Sequence, residues 1–142
     1  MVRESEILPS DRKNQRLWRS GYLAQLASEN NLKVLWWTKS FDHYNKKQRK
    51  SGTQIYKDIT INIIKGIGYK ENLSITRLLS EFLWSFSFFC KALFTIKKND
   101  IIFCSMPTIT SSFACALISR ISGASLILDF RDQWPEIFKN TS

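Results

Sequence analysis

The chain of 142 residues is the size of one domain with a real hydrophobic core. Lys and Arg outnumber Asp and Glu by 21 to 12, and the charge of +9 implies an anionic partner: nucleic acid, anionic lipid or a phosphorylated substrate. Cys90, Cys104 and Cys115 lie in apolar stretches without a CxxC pair, and His43 is the only histidine, which excludes a zinc ligand set and leaves buried thiols in a reducing, cytoplasmic compartment as the expectation. No secretory leader is expected, because Arg3, Glu4 and Glu6 interrupt any apolar run at the start. The aromatic run 82–96 contains Lys91 and is too short to span a bilayer.

In chain order, the opening MVRESEIL makes a poor buried strand because of its charges, and it predicts a sheet lacking an intact first, central strand. Residues 16–29 read as a helix, with Leu17, Leu23, Leu26 and Ala27 apolar. Residues 33–38 (KVLWWT) read as a strand, 46–50 as a basic solvated loop, and 59–64 (ITINII) as a second strand. The helix over 74–96 places Ile75, Leu78, Leu79, Phe82, Phe86, Phe89, Cys90 and Leu93 on one stripe, assigned to the core. Trp84 and Phe88 then fall on the opposite, outward face with Arg77 and Lys91. Aromatic rings flanked by cations suit an interfacial membrane anchor; the alternative is a face covered by another domain or subunit.

A third strand follows at 100–105, then a helix from Pro107 to about 121 stopped by Gly123, and a fourth strand at 125–130. Strands alternating with helices imply right-handed βαβ units: an α/β, Rossmann-like, mostly parallel sheet with flanking helices. The charged start and the early stop predict one incomplete domain, clipped at both ends. Without a first strand, two inner strand edges would stay unpaired and invite aggregation.

Ligands of open α/β sheets sit beyond the carboxyl ends of the strands, so the loops there are the candidates. After the last strand, Asp129, Arg131 and Asp132 precede Trp134 and Pro135, which reads equally as a ligand site or as a salt-bridged strand end. Within DRKNQRLWRSG, Arg12, Arg16 and Arg19 recur at helical spacing near a helix N-terminus, either a phosphate site or a solvated basic face. The loop after KVLWWT carries Phe41, Asp42 and His43; the histidine is a candidate general base or a bystander. The loop GIGYKEN has an incomplete glycine motif, with Lys70 and Asn72 placed to line the crevice, and Met106 and Pro107 of SMPT form a wall beside it. No P-loop, GxSxG elbow or metal triad accompanies them.

In order, LPSDRKNQRLWRSGYLAQLA, VLWWTKSFDHYNKKQR, GIGYKENLSITRLLSEF, IIFCSMPT and LDFRDQWPEIF resemble the N-terminal domain of family 4 glycosyltransferases of GT-B fold. The likeness is to the bacterial O-antigen and capsule subgroup that includes L-fucosamine transferases, and it rests on DxRDxWP and WWTxxFDH. The resemblance implies a hexosyltransferase of cell-surface polysaccharide biosynthesis, peripheral on the cytoplasmic face of the plasma membrane, with no cofactor and no metal. Its N-terminal domain would hold a polyprenyl-diphosphate-linked sugar acceptor, and a C-terminal domain most of the nucleotide-sugar donor.

Carried over by position, Asp129, Arg131 and Asp132 would be catalytic, with Trp134 lining the cleft beside them. Asn14, Arg16 and Arg19 would meet a phosphate, while Phe41, Asp42, His43, Lys70 and Asn72 would contact the acceptor. The departures are the charged start and the missing donor domain, so the chain alone is not expected to transfer sugar. A separate chain supplying that domain would complete it; the alternative is a non-catalytic remnant or an interaction module docking such a chain. Nucleic acid is not an expected partner, because the cations are dispersed rather than lining a groove with interleaved aromatics.

Overall fold

Helices and strands alternate in the computed structural model, which describes residues 1–9, 11, 16–71, 74–106 and 108–130. The strands are β1 (Val34–Lys39), β2 (Phe41–Asp42), β3 (Lys47–Gln48), β4 (Gly52–Tyr56), β5 (Ile59–Ile64), β6 (Ile101–Ser105) and β7 (Ser125–Asp129). The helices are α1 (Arg19–Glu29), α2 (Ile75–Leu93) and α3 (Ile109–Ser122). β1 pairs parallel with β5, β5 antiparallel with β4, and β6 parallel with β7. The domain is therefore α/β, a mixed sheet flanked by helices, as in a generic Rossmann-like fold.

Residues 1–4 fill the gap between β1 and β6. Val2 bridges Trp37 on one side and Cys104 on the other, both in parallel. The Val2 and Arg3 amides donate to Phe103 O (2.8 Å) and Trp37 O (3.1 Å), and Trp37 N, Ser105 N and Lys39 N donate to Met1, Val2 and Glu4 carbonyls at 2.9, 3.1 and 3.2 Å. The sequence-based expectation of a missing central strand is thus corrected, and the inner edges are paired. Its charges are tolerated because each meets a partner. Lys39 Nζ lies 3.1 Å from Glu4 Oε2, Arg3 Nε 3.6 Å from Glu6 Oε2, and Arg3 Nη1 donates to Met106 O at 3.0 Å.

Successive residues of a strand point to opposite sheet faces, and β1 shows it with two tryptophans. Trp36 joins Leu8, Ala24, Ile59 and Ile61 in the core beneath α1. Trp37 joins Val2, Phe88, Ile102, Cys104 and Ile118 beneath α2 and α3. Cys104 and Cys115 are buried as expected, whereas Cys90 is exposed.

α2 carries the largest correction. Trp84 and Phe88, read as outward, are 1% and 0% exposed, while Ile75, Phe82 and Phe86 of the supposed core stripe are 85%, 59% and 60% exposed. The wheel located the apolar stripe but not the side that meets the sheet. That side is fixed by Trp84 Nε1 donating to Thr38 O (3.3 Å), by the Trp84–Phe88 stack (5.5 Å) and by Phe88 against Trp37 (5.6 Å). Ser80 on the same face receives Lys39 Nζ at 3.4 Å.

Smaller differences have local causes. α1 starts at Arg19, after Trp18 in an extended conformation, so Arg16 precedes it. The basic run is not a solvated loop throughout, because Arg49 is clamped bidentately on Asp11 (2.8 and 2.7 Å) and donates to Glu6 O at 3.0 Å. β4 went unread and forms an antiparallel edge on β5. Gly123 ends α3 in the left-handed region (φ 75°) as expected, its amide donating to Ser119 O at 2.9 Å.

The reversed helix has a direct check. Phe88→Ala is expected to cost about 3–5 kcal/mol of unfolding free energy, and Phe86→Ala no more than about 0.5 kcal/mol, in urea titrations followed by circular dichroism. The opposite ranking would restore the wheel's assignment.

Candidate functional site

Because residues 1–4, β1, β5, β6 and β7 run parallel, their carboxyl ends share one sheet edge. The loops named from the sequence leave from that edge, and their described residues fall into two clusters.

The first cluster surrounds the end of β7. Asp129 accepts from Ser105 Oγ at 3.1 Å and pairs with Arg19 Nη2 at 2.9 Å, while the Met106 amide donates to its carbonyl at 3.0 Å. Asp129 is thus tied to α1 and to β6 together. The exposed Arg16 and Arg19 line a depression of about 540 Å³ with Leu17, Trp18 and Tyr22. The phosphate site expected at this helix start meets an internal competitor. Glu6 Oε1 accepts from the Ser20 and Gly21 amides at 3.1 and 3.2 Å, so a carboxylate of the chain already takes the place an anion would. Arg131, Asp132, Trp134, Asn14, Asn72 and Pro107 lie outside the described residues.

The second cluster is an aromatic box at the ends of β1 and β5. Asp42 is buried and builds its turn, accepting from Tyr44 N (2.9 Å), Asn45 N (3.1 Å) and Asn45 Nδ2 (2.7 Å), with Arg49 Nη2 at 3.4 Å. Burial pushes the Asp42 carboxyl up, but these hydrogen bonds and the Arg49 charge prevail and hold it below the usual carboxylate range. Phe41 is buried against Tyr69, with ring centroids 4.8 Å apart. Both residues were expected to contact a ligand; in the structure they support the loop that presents His43.

His43 is half-buried, and its Nδ1 lies 2.8 Å from Tyr69 Oη. Tyr44 stands edge-on to the imidazole at 5.4 Å and in turn meets Trp18 at 4.8 Å. Lys46 Nζ lies 4.8 Å and Arg77 Cζ 5.9 Å from the Tyr69 ring centroid. Arg77 is also held by Glu81 at 2.7 Å, and Lys70 is exposed in the same loop as Tyr69. Desolvation first, then the charges of Lys46, Arg77 and Lys39, push the His43 pKa below its ordinary value. Burial pushes Tyr69 up to about 12, so its hydroxyl keeps its proton. Two neutral tautomers follow. With Nδ1 protonated, Tyr69 accepts and Nε2 carries a lone pair; with Nε2 protonated, Tyr69 donates and Nε2–H is a donor. Either way the free ring nitrogen is a neutral hydrogen-bonding group in a positive environment.

The two glycines of GIGYKEN act through close packing. A Cβ at Gly66 would overlap the Lys39 side chain on its way to Glu4, and one at Gly68 would lie 3.0 Å from the Phe41 ring. A groove of about 470 Å³ beside this loop is lined by Gln48, Lys65, Ile67, Leu83 and Trp84. Sequence reasoning missed Tyr69, the Lys46 contact, and the buried Arg3, Glu4 and Glu6. An aromatic residue directly after a Gly-x-Gly at a strand end was the available signal for Tyr69. Among the described residues, no group of three or more His, Cys, Asp or Glu is placed to hold a metal ion.

Two outcomes are expected. Burial raises Glu4 despite Lys39 beside it, so the folded chain holds that proton to higher pH than the unfolded chain. Glu4 therefore contributes stability at acid pH that is lost as pH rises through its folded-state value. Lys39→Met is expected to destabilise by about 3–5 kcal/mol at neutral pH, less in the carboxylate range, with the Glu4→Leu/Lys39→Met pair recovering most of the loss. An equal loss at both pH values in urea titrations would refute this account. For His43, the lowered value means stability present above its unfolded pKa and lost as pH falls. Lys46→Ala is expected to move the imidazole midpoint upward in an NMR titration, and an unchanged midpoint would remove Lys46 from the cause. Compared with protein-family models, curated proteins and solved structures, the chain matches none.

Proposed function

We propose that this domain is the acceptor-binding part of a glycosyltransferase that moves a sugar from a nucleotide-sugar onto a lipid-linked glycan in cell-surface polysaccharide synthesis. The observation that carries the reading is the His43 imidazole held on Tyr69 at the carboxyl edge of the sheet, among aromatic rings and cations, its pKa pushed down by burial first and by those cations second. The resemblance of WWTxxFDH and DxRDxWP to family 4 transferases supports it, since His43 belongs to the first motif and Asp129 opens the second.

In this reading, Tyr44 flanks the acceptor sugar and the free His43 ring nitrogen hydrogen-bonds the reacting hydroxyl. Lys46, Lys70 and Arg77 meet the diphosphate, a reassignment from the α1 start that Glu6 blocks. During transfer the acceptor oxygen bonds to the anomeric carbon, the bond to the nucleoside diphosphate breaks, and the hydroxyl proton passes to the departing diphosphate. In the family the chain resembles, a second domain holds most of the donor, so the residues described supply the acceptor side of the cleft. Asp129, with Arg19 and Ser105 on its two oxygens, is held at the carboxyl end of β7, where the cleft of this reading begins.

The test is titration of the chain with a short-prenyl diphosphate-linked N-acetylhexosamine, watching the single histidine by NMR. Saturable shifts of the His43 signals are expected, and the affinity, read by calorimetry in the variants, falls roughly tenfold or more in His43→Gln or Lys46→Ala. The same sugar without its diphosphate should bind more weakly than either. Absence of any His43 shift at saturating concentrations of the probe would overturn the proposal.

A further inference from the structure

α2 and α3 lie side by side on one face of the sheet, touching through Ser85 Oγ and Thr110 Oγ1 at 3.0 Å. Their inner faces already fill the core with Trp84, Phe88, Ala92, Ala114, Cys115 and Ile118, and serines complete those faces. Ser80 and Ser85 of α2 and Ser111 and Ser112 of α3 are buried. Leu78, Phe82 and Phe86 of α2, and Ile109, Phe113 and Ile121 of α3, are each at least half exposed. On both helices these residues recur at three/four spacing and form continuous outward stripes. Large apolar residues on the outer face, over a core that is already filled, are the pattern expected where the outer surroundings are apolar as well. It far exceeds the scattered apolar exposure of ordinary water-facing helices.

Charge selects the kind of surroundings. Between residues 65 and 123 seven Lys and Arg stand against three Asp and Glu, within a chain of net charge +9. Lys91 and Arg120 occupy the last turns of α2 and α3, and Lys97 and Lys98 lie in the turn after α2. These cations border one end of the two-helix layer: Gly123, at the end of α3, sits against the Lys98 side chain. A second copy would bring the same positive charge to this face, whereas an anionic lipid surface complements it. Among the described residues no helix is long and apolar enough to cross a membrane.

We infer that the outer face of α2 and α3 is a docking surface for anionic lipid bilayers, with the apolar stripes in the acyl boundary and the bordering lysines and arginines at the headgroups. Trp84 and Phe88, the rings named from the sequence for this role, are buried under it. The inference does not depend on the sugar-transfer reading, since it needs neither His43 nor Asp129.

Co-sedimentation of the full chain with phosphatidylcholine vesicles, alone or with one quarter phosphatidylglycerol, tests it. Binding is expected on the anionic vesicles, falling with salt, and weakened roughly tenfold or more in the Phe82→Ser/Phe86→Ser/Phe113→Ser variant. An unchanged thermal transition in that variant establishes that it is folded. Cys90, exposed on α2 while Cys104 and Cys115 are buried, also accepts a bimane label in the unmutated chain. Its quenching by lipids carrying a nitroxide on the acyl chain is the expected sign of insertion. Equal binding to neutral and anionic vesicles, undiminished binding of the serine variant, or an unquenched label would each overturn the inference. So would a vesicle-free dimer that the serine variant abolishes, which would give the face to a second copy.

Discussion

The sheet depends on a charged segment paired into its middle. Residues 1–4 join two strand groups that otherwise share no ladder, and the side chain of Glu4 in that segment is almost completely enclosed. A carboxylate there is unfavourable by itself, because desolvation outweighs most interactions available to it. Lys39 answers it from the neighbouring strand, at 3.1 Å but off hydrogen-bonding direction, and both carboxylate oxygens lack a hydrogen bond among the described residues. The attraction is ionic and poorly satisfied. Its geometry reaches outward nonetheless: Lys39 touches Ser80 of α2, and Ser80 Oγ in turn donates to Ile67 O in the loop that carries Tyr69. The centre of the sheet, the helix above it and the candidate site are thus joined by one polar chain.

Internal carboxylates also decide where an outside anion can bind. At the start of α1 the free amides are met by Glu6, which closes a place that helix chemistry would otherwise open to phosphate. At the Tyr69 box the balance is reversed. Lys46 and Arg77 press on one ring, with Glu81 beside Arg77, and burial first and these cations second push the His43 pKa down. One edge of the sheet therefore holds a self-satisfied end and a positively biased end, and the second is the better place for a phosphorylated molecule.

Element types were legible wherever apolar runs were bounded by turn residues. ITINII, DIIFC and SLILD are strands, and Gly123 ends its helix as its conformation requires. What failed was sidedness. Period tells which residues of α2 share a stripe, but Trp84 and Phe88 are chosen by Trp37 and Thr38, more than forty positions away. The opening segment failed for a related reason: its charges looked disqualifying because Lys39, Ser105 and Met106 were out of view as partners. At the candidate site the loops and His43 were legible from strand ends. The roles of Phe41 and Asp42 were not, since an inward-facing side chain in a loop has no local signature.

Joining the sheet through its earliest residues has a consequence for how the chain folds. Val2 pairs with Trp37 and with Cys104, so one of its two ladders spans about a hundred positions of sequence. β1, β4 and β5 can assemble soon after synthesis, but β6 must leave the ribosome before the central segment has both neighbours. Until then the assembling domain presents a long open edge next to two tryptophans, the kind of transient surface that chaperones recognise. That edge closes only when β6 arrives, and β7 can join the sheet only after it, on the far side of β6.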